Sequence, residues 1–141
     1  MYSRYNRDET KNWEQAWYHY QQLYQENSKS SLWIVGQFSA EQIEYNFDFY
    51  RNEKIKYFGV ISEQEKMAEI YRGADYFLYT YFNDACSNTL IEAISCGVEP
   101  LYYSETGGAI DIKEKHAKEG IKYFSLDRMA REYKEEIERI L

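Results

Sequence analysis

"DYFLYTYFNDACSNTLIEAISCGVEPLYY", residues 75–103, decides how the rest of the chain is read. Its first six residues, 75–80, are an apolar aromatic run bounded by polar residues, the mark of a short buried strand. Residues 87–96 then carry Leu90, Ile91, Ala93 and Ile94 at helical spacing, and Gly97 stops the helix. A second strand, 99–103, follows at once. Strand, helix and strand joined by short links form a crossover unit, which pairs the two strands in parallel.

The same alternation runs outward in both directions. Residues 10–28 read as an amphipathic helix, with Trp13, Trp17, Tyr20 and Tyr24 recurring along its core-facing side. "SLWIVG", 31–36, is a buried strand. Ser39 with Gln42 three residues later is a capping-box pattern that opens a helix to about Arg51. "IKYFG", 55–59, is the next strand, and Ser62 with Glu65 repeats the capping box for a helix to Gly73. "IKYF", 121–124, reads as a last short strand, and a helix from about Asp127 closes the chain. The expected fold is α/β: a Rossmann-like parallel sheet flanked by helices on both faces. The chain reads as one domain, 1–141, with no linker or internal repeat. One element is in question. The residues before the first helix are polar apart from tyrosines and Met1, so either Tyr2–Tyr5 makes a poor strand or the domain lacks its first strand.

Bulk properties narrow the function. A chain of 141 residues with 44% apolar content buries one proper core. The formal net charge of −7 argues against a nucleic-acid footprint, which requires clustered Lys and Arg. No stretch resembles a signal peptide or a transmembrane span of about 18 apolar residues. Cys86 and Cys96 stand about 15 Å apart along a helix at 1.5 Å per residue, too far for a disulfide. Both read as reduced thiols of a cytoplasmic protein. Sixteen tyrosines are many for this length, and each couples a large ring to a polar handle. Compositional bias, a ligand cleft or an interface would each account for them.

In a parallel α/β sheet, ligands bind beyond the carboxyl ends of the strands. The candidate loops therefore follow Gly36, Phe58, Tyr79 and Tyr103. The third holds Asn83, Asp84, Ala85, Cys86, Ser87 and Asn88 and runs into a helix, whose free N–H groups suit an anion. Glu92 lies one turn further along that helix, and a carboxylate there is suited to the two hydroxyls of a ribose. The plainer reading makes Asp84 a loop cap and Glu92 a solvated helix residue. Gly107 and Gly108 in the fourth loop allow close backbone approach, although most such pairs mark turns. Arg4, Arg7 and Lys11 are the basic groups before the first helix, where a solvated face is the plainer reading. Tyr79, Tyr81, Phe82, Tyr102 and Tyr103 are candidates for shaping the pocket. His19, among aromatics, and His116, in a charged run, read as structural. No metal-site spacing, nucleophile elbow, phosphate-loop lysine or dinucleotide glycine motif is present.

The stretch from Asp75 to Asp111 resembles the nucleotide-sugar-binding half of retaining glycosyltransferases of the group 1 family. Its marks are an acid, seven residues, then "EA", a small residue, a glycine, an apolar strand and a Gly-Gly loop followed by an acid. Asp84, Glu92, Ala93, Gly97, Pro100, Gly107, Gly108 and Asp111 match in turn. The likeness begins at about Lys11. Asp84 replaces the commoner glutamate, and Glu99 stands where the family has proline, at the start of a buried strand.

The resemblance implies the carboxy-terminal half of a two-domain GT-B enzyme, without its acceptor-binding amino-terminal domain. It implies transfer of a hexosyl group with retention from a nucleotide-diphosphate sugar. That sugar is a substrate, and no cofactor or metal is implied. Glu92 would bind the ribose, Asp84 the sugar hydroxyls, and residues Ala85, Cys86, Ser87 and Asn88 the sugar-diphosphate. Lys11, and more loosely Arg4, would neutralise the leaving diphosphate. The implied partner is a separate acceptor-binding subunit or a second copy, with no nucleic acid. The alternatives are a noncatalytic nucleotide-sugar-binding or protein-interaction module, and an unrelated flavodoxin-like or receiver-like domain.

Overall fold

A computed structural model describes residues 12–37, 53–103 and 105–140, together with the backbone of residues 2–3. The elements run β1 (Tyr2–Ser3), α1 (Trp13–Glu26), β2 (Leu32–Gly36), β3 (Ile55–Tyr57), α2 (Gln64–Arg72), β4 (Tyr76–Tyr79), α3 (Asn88–Ser95), β5 (Glu99–Tyr102) and α4 (Gly108–Glu119). A 3-10 turn (Ile121–Phe124) and α5 (Leu126–Ile140) complete the described chain. The helix expected over residues 39–51 lies outside the described residues.

Every described ladder is parallel. β1, β2 and β3 form one sheet with β2 in the middle, and β4 pairs with β5 in a second. The first strand is therefore present, in two residues: Tyr2 stands opposite Val35 and Ser3 opposite Gly36. The expectation of a missing first strand is corrected to that extent.

Burial on both faces explains the apolar runs. Leu32 and Ile34 of β2 and Leu78 of β4 pack with Tyr20 of α1. Phe77 and Tyr79, on the opposite face of β4, pack with Tyr71 of α2 and with Leu90, Ala93 and Ile94 of α3. Successive side chains of a strand point to opposite faces, so β4 is covered by helices on both. A cavity of about 300 Å³ is lined by residues of both β2 and β4. Leu32, Trp33, Phe77 and Leu78 all reach it, and it holds none of the candidate site residues.

Local signals set the ends of α3. The Ser87 hydroxyl accepts the Leu90 N–H at 3.3 Å and caps the helix. At the other end Gly97 takes φ 86°. Its N–H donates to the Ile94 carbonyl, and the Val98 N–H donates to that of Ala93. This left-handed glycine closure satisfies two carbonyls that the helix end leaves open. Glu99 is exposed and Pro100 buried, so the unusual acid faces solvent and carries no burial cost.

Two local expectations are corrected. Ser62 and Glu65 do not form a capping box: α2 begins at Gln64 behind Glu63, which makes no side-chain cap bond. Residues 121–124 are a 3-10 turn, not a strand. Gly120, at φ 67°, turns the chain out of α4, and Tyr123 and Ser125 then donate back three residues, to Gly120 and Lys122. Arg128 of α5 locks that turn. Its guanidinium donates to the Tyr123 carbonyl and lies 3.3 Å from the Tyr123 ring centre. No residue of α5 is buried. Among the described residues, no helix is long and apolar enough to cross a membrane.

Candidate functional site

The loops after β2, β3 and β4 converge on a cavity of about 1110 Å³ at the carboxyl ends of the strands. Gly36 and Gln37 come from the first, Val60 to Glu63 from the second, and Asp84, Cys86, Ser87 and Asn88 from the third. Glu92 enters from α3 and Tyr71 from α2. The two carboxylates that begin and end the seven-residue interval thus share one cavity. The charged residues among its described lining are Glu63, Asp84 and Glu92.

Each carboxylate is held by its own device. Glu92 rides on α3 and is exposed, while its helix is pinned by Leu90, Ala93 and Ile94. Asp84 sits in the preceding loop, where its Oδ1 accepts the Cys86 N–H at 3.2 Å. Asn83 beside it has φ 50°, a left-handed conformation that asparagine tolerates better than most residues. The Asn88 and Thr89 amides head α3 with no intrahelical acceptor, and no acid occupies its first turn. That end of the helix suits an anion.

Gly107 and Gly108 take a different place from the one their freedom suggested. Neither lines the cavity; both pack against the backbone of the Asp84 loop. Gly108 donates its N–H to the Asp84 carbonyl at 2.8 Å, and the Asn83 N–H donates to the Thr106 hydroxyl at 2.8 Å. A Cβ on Gly107 would lie 2.6 Å from the Asp84 carbonyl oxygen, and one on Gly108 would overlap the carbonyl of Ala85. Ala85 thus meets this glycine instead of the cavity. Thr106 carried no signal in the sequence, since a single loop hydroxyl fits no motif.

Lys11 and Arg4 lie outside the described residues. Asn12 precedes α1 at its cap position, and Gln15 in the first turn donates to the Tyr103 carbonyl at 3.3 Å.

The tyrosine expectation is corrected. Tyr79, Tyr81, Phe82, Tyr102 and Tyr103 do not line the cavity, whereas Tyr71 does. Tyr79 and Tyr81 are core residues, their ring centres 5.2 Å apart. Burial, and then the charge of Asp84, push the Tyr79 hydroxyl up to about 12. Ser87 opposes this shift, yet its hydroxyl is engaged with Leu90 and Thr89, and the Tyr79 hydroxyl has no hydrogen-bond partner. His19 stacks on Tyr103 at 3.5 Å between ring centres, and burial lowers its pKa. Both cysteines are free thiols. Among the described residues, no group of His, Cys, Asp or Glu could hold a metal ion.

A family model, that of the glycosyl transferases group 1, matches residues 2–141. No curated protein and no solved structure matches the chain.

Proposed function

The chain belongs to the group 1 glycosyl transferases, and from that premise we propose that it is their carboxy-terminal, nucleotide-sugar-binding half. In this reading it serves transfer of a hexosyl group from a nucleotide-diphosphate sugar, with retention. The observation that carries it is the convergence of Asp84 and Glu92 on one cavity headed by the free amides of α3.

Glu92 accepts hydrogen bonds from the two ribose hydroxyls, a task for which a carboxylate's paired oxygens are shaped. Asp84 accepts from hydroxyls of the transferred sugar. The Asn88 and Thr89 amides, with the Asn88 side chain, receive the diphosphate. As the sugar–oxygen bond breaks, negative charge grows on that diphosphate, and an acid-lined cavity opposes it. Lys11 and Arg4 supply the compensating positive charge. The acceptor is brought by a second domain, a partner chain or a second copy, closing over the donor from the other side.

Titration calorimetry with UDP-glucose and GDP-mannose tests the reading. Binding of one of them by the wild-type chain, lost in Glu92→Ala, is the expected result. A folded wild-type chain that binds neither sugar nucleotide, nor UDP or GDP, overturns it.

A further inference from the structure

We propose that Thr106 is a positioning residue that sets the chain's affinity for the sugar half of the donor, separately from the nucleotide half. This rests on the assignment of Glu92 to the ribose and Asp84 to the sugar.

The two carboxylates are anchored by different parts of the fold. Glu92 belongs to α3, which is held by the Ser87 cap, the Gly97 closure and the core. Asp84 belongs to the loop before it, and that loop is held from across the cleft end. Two bonds do this: Asn83 N–H to Thr106 Oγ1, and Gly108 N–H to the Asp84 carbonyl, both 2.8 Å. Beside the brace, Glu105 forms an exposed ion pair with Lys113 of α4, whose ammonium lies 5.4 Å from the Tyr102 ring centre.

Thr106 is the side-chain part of this brace. It accepts from the residue held at φ 50°, so it favours the backbone conformation that aims Asp84. Asn83 is exposed, and water can replace the hydroxyl as acceptor of its N–H. Losing the Thr106 hydroxyl therefore widens the range of positions open to Asp84 without leaving a buried group unpaired. Stability changes little, Glu92 is untouched, and the sugar contact weakens.

The test compares Thr106→Val and Thr106→Ser with wild type, measuring Kd for UDP, UDP-glucose, GDP and GDP-mannose and the melting temperature of each protein. For the base that binds, Thr106→Val is expected to weaken the sugar nucleotide about fivefold, the scale of one hydrogen bond. The nucleoside diphosphate affinity and melting temperature stay at the wild-type values, and Thr106→Ser restores sugar-nucleotide affinity. Equal weakening of both ligands, no change in either, or no rescue by serine overturns the positioning role. If the wild type binds the sugar nucleotide and Glu92→Gln loses it, such a failure leaves the donor-site reading standing. If the folded wild type binds none of the four ligands, both fall.

Discussion

Gly108 lies so close to Asp84 that its N–H donates to the Asp84 carbonyl at 2.8 Å. The Gly-Gly turn thus has a local cause: the loop bearing the acid and the loop bearing the glycines touch backbone to backbone. In Gly108→Ala the new methyl would overlap the Ala85 carbonyl. Urea unfolding should show a loss of about 1–3 kcal/mol, the usual cost of forcing atoms into a packed contact. Sugar-nucleotide binding should fall with it, because the Asp84 loop must move away.

Asp84→Asn and Glu92→Gln should part company in calorimetry. A hydrogen bond to a charged group contributes about 1.5–3 kcal/mol, so each change should cost about tenfold or more in affinity. Glu92→Gln should weaken UDP or GDP and the corresponding sugar nucleotide alike. Asp84→Asn should weaken the sugar nucleotide alone. Its amide oxygen can still accept the Cys86 N–H, so the loop turn survives.

Ser87→Ala should destabilise the protein by about 1 kcal/mol, the common cost of removing a helix cap. The hydroxyl is buried and accepts the Leu90 N–H, which loses this acceptor in the variant. Thermal unfolding of the variant checks this.

The contribution of the buried tyrosines to stability should be level below pH 10 and fall between about pH 10 and 12. Unfolded tyrosine ionises near pH 10. Burial, then the charge of Asp84, raises Tyr79 to about 12. For Tyr102 the causes are burial, then Glu99 and Glu105, with the same result. In that window the folded state holds protons that the unfolded chain releases, so rising pH favours unfolding. Melting temperature against pH, with tyrosinate absorbance followed in parallel, should show the fall. Tyr79→Phe should make it shallower, leaving the share that Tyr102 carries.

Cys86 is exposed on the cavity and Cys96 half-buried. Iodoacetamide should modify Cys86 first, and a bound sugar nucleotide should slow that reaction. Peptide mass mapping over a time course reads both effects.

Much of the fold was legible because its signals are local. The Gly97 stop and the α3 apolar spacing describe interactions within a few residues, and the structure keeps them. Ser62 failed as a cap because α2 begins at Gln64, which gives the cap position to Glu63 and leaves Ser62 one residue before it. "IKYF" failed because a run of four residues, three of them apolar, is too short for its pattern to separate a strand from a single helical turn. Gly120 and the grip of Arg128 on Tyr123 decided for the turn. The site was half legible. Strand order placed Asp84, Ser87, Asn88 and Glu92 at one end of the sheet, but the role of the glycines and of Thr106 was not readable.

By itself, then, the amino-acid sequence determined the alternation of elements, the parallel pairing that short crossovers impose, and the end of the sheet to which the acidic loop belongs. These follow from periodicity, caps and connection length, all properties of neighbouring residues. Only the tertiary structure decided that the Gly-Gly loop braces Asp84, that Tyr79 and Tyr81 fill the core, and that Tyr71 reaches the cavity. Those outcomes depend on contacts between residues distant in the chain, such as the bond from Asn83 to Thr106 across 23 positions. No local pattern encodes such a contact, because it exists only once the core has brought the two loops together.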